Sequence, residues 1–229
     1  YMLEAFRKHM QEKFGTPQAL NRAYYLPYWS NAIAAWEDFP DPTGTINGGI
    51  AGEFDFFRRD QAAAFLDWQK SILLEYKKPE QFITHNCCYD FSKGYSYGVR
   101  DDINHYRVSQ IVDVCGCDIY FPSQSRLTGA EIAFGGDAAR SHKRKNYLVL
   151  ETQSQGFKNW TPYPGQLRLQ AFSHVASGAD SVMYWNWHSI HNSAETYWKG
   201  ILSHDLQPNP IYRELCRVGK EFQSHADVL

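Results

Sequence analysis

The sequence predicts an α/β protein built on a parallel sheet. Short apolar runs alternate with segments of helical periodicity at a spacing of roughly 30–35 residues, which is typical of βαβ units. Each run ends near a polar or aromatic residue, as strands do where they reach the edge of a sheet. Four such runs are recognisable. The pattern therefore fits either an open four-stranded sheet or half of a (β/α)8 barrel, which has eight strands and about 250 residues.

Seven helices are predicted from apolar periodicity and from their start and stop residues. Gly15 ends the first helix, Pro17 lies at the start of the second, and Gly178 ends the sixth. A long loop is expected at 36–52, where Pro and Gly are frequent. The predicted helices are 2–14, 16–24, 54–77, 102–112, 128–142, 164–176 and 209–223.

Two expectations concern the surfaces of these helices. The basic run 142–145 is expected to be a solvated helix end, favourable against the helix dipole, rather than a binding patch. The third helix is expected to turn one apolar set inward, namely Phe57, Phe65, Leu66, Ile72, Leu73 and Tyr76.

The predicted strands place several functional side chains at one edge of the sheet. The strands are expected at 81–86, 117–121, 147–151 and 181–187. Their ends offer Asn86, Tyr120, Glu151 and Trp187, and the following loops offer Trp160, His188 and Glu195. Because the carboxyl ends of parallel strands share one edge, these side chains can converge there.

Composition excludes several classes of protein. A net charge of −2 makes a nucleic-acid partner unlikely, and no run of 18 apolar residues could span a membrane. The five cysteines match neither a zinc ribbon nor a CxxC redox pair. The adjacent Cys87 and Cys88 are expected to be buried free thiols, which favours a reducing, cytoplasmic location. The first residue is Tyr1 and not Met, so we expect that the natural N-terminus was removed. A signal peptide in the natural protein therefore remains an alternative.

The candidate residues suit carboxylate chemistry. The sequence shows no Ser or Cys nucleophile beside a base, no metal cluster and no phosphate-binding Gly-rich loop, so no metal or cofactor is expected. Aromatic residues make up 16% of the chain, which favours either a sugar site or a large aromatic core. A retaining glycosidase needs one carboxylate as nucleophile and a second as acid/base.

In such a site each candidate has a role and an alternative. Glu151 would be the nucleophile, with Tyr120 and Asn86 as donors that stabilise its ionised form. Glu195 would accept hydrogen bonds from sugar hydroxyls, while Trp160 and Trp187 would stack on the sugar. Each residue also has a purely structural interpretation. Glu151 could end a strand in solvent, and Tyr120 could be a core aromatic residue. Trp187 could fill the barrel interior, and Glu195 could be a carboxylate at the start of a helix.

Seven stretches, in order over about 200 residues, resemble the catalytic barrel of glycoside hydrolase family 42, the microbial β-galactosidases. The stretches are Ala5-Phe6-Arg7 with 13–21, Tyr28-Trp29-Ser30, Thr84-His85-Asn86, Asp118-Ile119-Tyr120, Leu150-Glu151 with Asn159-Trp160, 174–180 with Trp187, and Ala194-Glu195 with Gly200-Ile201-Leu202. The resemblance implies that 1–229 is a single partial barrel domain, with about strands five to eight.

The resemblance also implies a function. Glu151 is then the nucleophile that releases terminal non-reducing β-D-galactose or a related sugar, and Tyr120, Trp160 and Glu195 line the sugar subsite. Trp29 matches an aromatic residue at the active-site mouth, which in family trimers often comes from a neighbouring subunit. A homo-oligomer, a galactoside or related oligosaccharide as substrate, and no nucleic-acid or membrane partner are expected.

The sequence departs from the family pattern in two ways. The family's acid/base Glu lies in an Asn-Glu pair upstream of the region matched here, so we expect these residues alone to be inactive. A family His is replaced by Trp198, so an arabinopyranoside or a substituted galactoside is a further candidate substrate. The alternative function is a non-catalytic carbohydrate-binding or assembly half-barrel. An open-sheet α/β hydrolase is disfavoured because no GxSxG motif is present.

Overall fold

The computed structural model describes residues 1–89, 102–121, 129–155, 161–196 and 198–229. Within these ranges seven α-helices and four β-strands occur. The chain divides into two compact units, the first formed by 1–68 with 102–104 and the second by 69–101 with 105–229. All four strands belong to the second unit.

The first unit is a helical cluster around an aromatic core. It contains α1 (Met2–Phe14), α2 (Pro17–Ala23) and most of α3 (Gly48–Tyr76). The predicted end of α1 and start of α2 are confirmed, because Gly15 has a φ of 70° after α1 and Pro17 is the first residue of α2, where the Thr16 side chain also accepts from Ala19 N. The buried core residues are Phe6, Met10, Leu20, Leu26, Ile33, Ile50 and Phe57.

Helix α3 differs from its prediction in two respects. It begins at Gly48 rather than near 54, because the side-chain oxygen of Asn47 caps it by accepting from Ile50 N at 3.0 Å. The predicted loop 36–52 is shortened accordingly. Phe57 is buried, as expected, and Leu66 is half-buried. Phe65, Ile72, Leu73 and Tyr76 are exposed, since apolar residues occur all round this helix and its periodicity does not single out one buried face.

The second unit contains a parallel sheet with strands in chain order β1-β2-β3-β4. The strands are β1 (Asn86–Cys88), β2 (Gly116–Asp118), β3 (Tyr147–Gln153) and β4 (Ala179–Trp185). The intervening helices are α4 (His105–Ile111), α5 (Ala130–Lys143) and α6 (Gln166–Ala176), and α7 (Pro210–Ser224) follows β4. The predicted βαβ succession is therefore confirmed.

The strand boundaries differ from the prediction. β1 begins at Asn86 instead of ending there, because Ile83 exchanges hydrogen bonds with Asp113, its N donating to the carboxylate at 2.9 Å and its O accepting from Asp113 N at 2.8 Å. The segment before β1 is thus held to Asp113 by one backbone and one side-chain hydrogen bond instead of a regular strand ladder. β3 continues two residues past Glu151, and β4 ends two residues before Trp187.

Close packing at one glycine brings the strands together. A Cβ on Gly116 of β2 would overlap the Leu150 side chain of β3 and approach Thr84 Oγ1 and the His85 carbonyl. Any larger residue would therefore force the Leu150 side chain and the segment just before β1 to shift.

Two charged side chains join neighbouring helices. The Glu214 carboxylate of α7 accepts from the backbone nitrogens of Gly165 and Arg168, at 3.0 and 3.1 Å, and so caps the N-terminus of α6. Lys143 donates to the carbonyls of Ser109 and Val112, at 2.9 and 2.7 Å. The predicted solvated end of α5 is thus wrong for Lys143, which anchors α5 to α4.

All five cysteines are free thiols. Cys87, Cys115 and Cys117 are buried, Cys88 is half-buried and Cys216 is exposed. Burial raises the pKa of the Cys87 thiol to about 12, so it stays protonated at neutral pH. Within the described ranges, no helix is both long and apolar enough to cross a membrane.

Candidate active site

The Glu151 carboxylate of β3 receives one hydrogen-bond donor on each of its oxygens. The Tyr120 hydroxyl lies 3.0 Å from Oε2, and Asn86 Nδ2 lies 3.2 Å from Oε1. Glu151 itself is half-buried. Three residues predicted from separate strands are thus brought together at one place. The pair of donors fixes the orientation of the carboxylate.

A second carboxylate, Asp118, lies beside this cluster and was missed by the sequence reasoning. It ends β2 and is 8% exposed. Asn86 Nδ2 donates to both of its oxygens, at 2.9 and 3.2 Å. The signal was available, because Asp118 and Tyr120 are two residues apart, and alternation along an extended segment turns such residues to the same side.

Tyr120 is fixed by anchors on both sides. The Thr152 hydroxyl donates to the Ile119 carbonyl at 2.8 Å. The Gln153 side chain then pairs with Phe121 in both directions, accepting from its N at 3.2 Å and donating to its O at 2.6 Å. These polar side chains continue the pairing of β3 with the segment after β2, where the regular ladder has ended. The phenol is therefore held towards Glu151.

The environment of Tyr120 keeps its hydroxyl protonated. Burial raises the pKa of Tyr120, and the charge of Glu151 and its hydrogen bond raise it further. Asp118 and Glu195 act in the same direction, so Glu195 lies close enough to the phenol to influence it electrostatically. At neutral pH Tyr120 therefore donates its hydroxyl hydrogen to Glu151.

Trp198 joins the site through Tyr120. It is 6% exposed, and its ring centroid lies 5.8 Å from that of Tyr120 at an interplanar angle of 54°. Its backbone nitrogen donates to the Glu195 carbonyl at 3.0 Å. Sequence reasoning treated Trp198 only as a departure from a family pattern, and its position identifies it as a wall of the site.

The loop that carries Glu195 and Trp198 is anchored to the end of β3. Gln155 Nε2 donates to the Gly200 carbonyl at 2.6 Å, and the Ser154 hydroxyl donates to the Lys199 carbonyl at 3.2 Å. A Cβ on Gly200 would overlap the backbone of His188. The strand that carries Glu151 therefore also positions the opposite side of the site.

Three of the four other predicted residues are described by the structure, each with its own contacts. Trp187 is 59% exposed and packs edge-on against Tyr212 of α7, with ring centroids 6.2 Å apart. Trp29 belongs to the first unit, is 70% exposed and stacks on Tyr28 at 5.2 Å. Trp160 lies outside the described residues. The side chain of His188 is exposed, and its Nδ1 lies 2.9 Å from the Ser189 carbonyl.

The chemistry available at this cluster is that of a hydrogen-bonded carboxylate. In the parts of the chain that the structure describes, no group of three or more His, Cys, Asp or Glu side chains is placed to hold a metal ion. A carboxylate with an amide and a phenol donor, next to a buried indole, can act as a nucleophile and can contact a polar, flat-faced ligand.

The fold and the site together define the class of (β/α)8-barrel proteins that carry carboxylates at the carboxyl edge of a parallel sheet. Within that class, the chain belongs to glycoside hydrolase family 42, because the family model described as beta-galactosidase matches residues 1–225. The four strands form part of such a barrel, and the predicted fold class is confirmed. The family identified from short sequence stretches is confirmed as well.

Individual relatives support the assignment. The chain is 28% identical to beta-galactosidase BgaA of Clostridium cellulovorans, with 93% of this chain and 33% of the relative aligned. It is also 28% identical to a beta-galactosidase of Thermus thermophilus, with 97% and 36% aligned. The crystal structure of the beta-galactosidase from the psychrophilic Marinomonas ef1 superposes with a TM-score of 0.83 at 25% identity, covering 99% of this chain and 36% of that one. The chain thus spans about a third of the length of these relatives.

Proposed function

We propose that this chain carries the nucleophile side of the active site of a retaining β-galactosidase-like glycosidase. Glu151 attacks the anomeric carbon of a terminal non-reducing β-D-galactose or a related sugar and forms a glycosyl-enzyme. The observation that carries the proposal is the Glu151 carboxylate with a donor on each oxygen at the strand edge. Membership of the family and the names of the relatives support the choice of sugar.

The roles of the surrounding residues follow from their contacts. Asn86 and Tyr120 orient the carboxylate and stabilise its charge before attack and after release. Glu195, on a loop beside Tyr120, is proposed to accept hydrogen bonds from sugar hydroxyls. We also propose that Trp160, Trp187 and Trp29 contact the sugar or form walls of the active-site mouth.

The reaction needs a second carboxylate to protonate the leaving group, about 5–5.5 Å from the nucleophile in retaining enzymes. We do not assign this role to Asp118, which is buried against Asn86, or to Glu195, which lies on the sugar-binding loop. The resembled family uses a Glu within an Asn-Glu pair, and that pair does not occur in these 229 residues.

Trp198 bears on the choice of sugar. Its buried ring offers an apolar wall next to Tyr120 where the family pattern has a His. An apolar wall favours a sugar that presents fewer hydroxyls or a carbon substituent at this point, such as an α-L-arabinopyranoside or a substituted galactoside.

We also propose a homo-oligomer, a trimer by the family resemblance, and a cytoplasmic location. Light scattering of the purified protein tests the trimer, and a dominant monomer would contradict it.

The test compares hydrolysis of aryl β-galactoside and aryl α-L-arabinopyranoside by the full-length polypeptide that carries this sequence. Glu151→Gln keeps the size of the side chain and removes the nucleophile, so turnover of the preferred sugar should fall by about 10⁴-fold or more. Glu221→Gln on α7, which breaks only the ion pair with Arg168 at 2.6 Å, is the matched control and should retain activity. A Glu151→Gln variant as fast as the unaltered protein would favour the carbohydrate-binding alternative.

A further inference from the structure

A shared amide group links Glu151 to a second carboxylate. Nδ2 of Asn86 lies 2.9 and 3.2 Å from the two oxygens of Asp118 and 3.2 Å from Oε1 of Glu151. The amide nitrogen carries two hydrogens, so it can serve both carboxylates at once. Asn86 is exposed, whereas Asp118 is only 8% exposed. Asp118, the buried partner, is thus the more restrained of the two side chains.

We propose that Asp118 is a positioning residue that acts on the nucleophile through Asn86. By accepting from the amide nitrogen, Asp118 keeps the N–H edge of Asn86 turned towards Glu151. The reversed amide would set its oxygen against two carboxylates, which is electrostatically unfavourable. An exposed side chain without such a partner would distribute over several rotamers and donate to Glu151 only part of the time.

The position of Asn86 in the fold strengthens this assignment. Asn86 is the first residue of β1 and is level with Gly116, two residues before Asp118 on β2. Its side chain therefore has to run along the sheet to reach Glu151 on β3. Asp118 lies on the strand between the two and contacts Asn86 along this path. The contact with Asp118 thus fixes the Asn86 side chain at the point where it reaches Glu151.

The donated bond has its largest effect when Glu151 leaves the sugar. In that step the bond from the anomeric carbon to the Glu151 oxygen breaks and its electron pair returns to the carboxylate. Water forms the new bond to the carbon, and its proton passes to the acid/base carboxylate. Charge thus develops on Glu151, and a donor already aimed at it stabilises the transition state. In the first step the charge on Glu151 decreases, so the loss of the donor has a smaller effect.

The proposed role of Asp118, which rests on the proposed glycosidase function, predicts that kcat and kcat/KM respond differently. The substrate is 2,4-dinitrophenyl β-galactoside, whose good leaving group makes release from Glu151 limit kcat. In the full-length polypeptide, Asn86→Ala should lower kcat by about 10- to 100-fold, the usual range for a bond to a charged group. KM should fall with kcat because the glycosyl-enzyme accumulates, while kcat/KM changes little.

Asp118→Asn should also lower kcat, by about tenfold. The new side chain at position 118 has one acceptor oxygen and one donor NH2 group instead of two acceptor oxygens. The amide of Asn86 can then turn its oxygen towards position 118 and no longer always donates to Glu151. The double variant should be no slower than Asn86→Ala alone, since Asp118 acts through Asn86. The matched control is Asp180→Asn. It alters a similar pair, Asn146 Nδ2 donating to Asp180 Oδ1 at 2.9 Å, and should leave kcat and KM unchanged.

A purely structural role for Asp118 would give a different result. It would lower the melting temperature and the active fraction, would not lower KM, and would add to the effect of Asn86→Ala. A loss in kcat explained wholly by the active fraction, a KM that does not fall, or an effect that adds to that of Asn86→Ala overturns the inference, as would wild-type kinetics in both single variants. If Asp118→Asn does not fold, Asp118→Ser replaces it, alone and combined with Asn86→Ala. An active Glu151→Gln variant would instead overturn the proposed function, so the two failures are distinguishable.

Discussion

Replacing Tyr120 with phenylalanine removes one donor from the nucleophile without emptying any space. The hydroxyl lies 3.0 Å from Glu151 Oε2, and the ring, which would be retained, packs on Trp198. A hydrogen bond to a charged group contributes about 1.5–3 kcal/mol, so kcat on an aryl galactoside with a good leaving group, for which release from Glu151 limits kcat, should fall by about 10- to 100-fold. Because the Tyr120 pKa is raised, the alkaline limb of the pH–rate profile should stay where it is.

The matched control is Tyr147→Phe in the same sheet. Tyr147 is fully buried, and its hydroxyl has no hydrogen-bond partner among the described residues. Its removal should leave the rate unchanged and should keep or slightly raise the melting temperature, since an unsatisfied buried hydroxyl is lost. A Tyr120→Phe variant as fast as the unaltered protein, or one that has lost the alkaline limb of its pH–rate profile, would contradict the role of Tyr120 as a protonated donor.

Three further predictions follow from other contacts. Gly200→Ala should weaken substrate binding and raise KM several-fold, because its Cβ would push the Glu195 loop away from His188; an unchanged KM would contradict this. Glu214→Gln should lower the free energy of unfolding by about 1–2 kcal/mol, since a charged cap of α6 becomes neutral, and chemical denaturation measures this loss. Burial lowers the pKa of His174 to about 3 from 6.5, so the folded protein holds His174 neutral while the unfolded chain binds a proton. Stability should therefore decline by up to about 1.4 kcal/mol per pH unit as pH falls from 6.5 towards 3, and His174→Gln should flatten this decline in urea titrations.

Local sequence signals predicted the fold wherever the determinants are local. Gly15, Thr16 and Asn209 lie at helix ends as caps, and α1, α2 and α7 have nearly the expected bounds. The failures arise where distant residues compete. Asn86 begins β1 because Asp113 engages the preceding segment, and the exposed apolar side chains of α3 could not be assigned to a face from periodicity.

The candidate site was predictable in outline for a similar reason. A parallel sheet places strand ends at one edge, so Asn86, Tyr120 and Glu151 were expected to meet, and their side chains do so. Asp118 was missed because its role depends on a contact across strands. Trp187 was expected at the site, yet two residues beyond the end of β4 its ring packs against α7. Strand register and loop direction, which set these positions, are properties of the whole sheet.

The most direct test of the central claim identifies the residue that bonds to the sugar. The full-length polypeptide is incubated with a 2-deoxy-2-fluoro-β-galactosyl fluoride, which slows release of the glycosyl-enzyme, and its peptides are analysed by mass spectrometry. A single fluorosugar label is expected on the peptide that contains Glu151, with loss of activity in proportion to labelling. A label on any other residue, or steady turnover of an aryl galactoside without any labelled peptide, would contradict it.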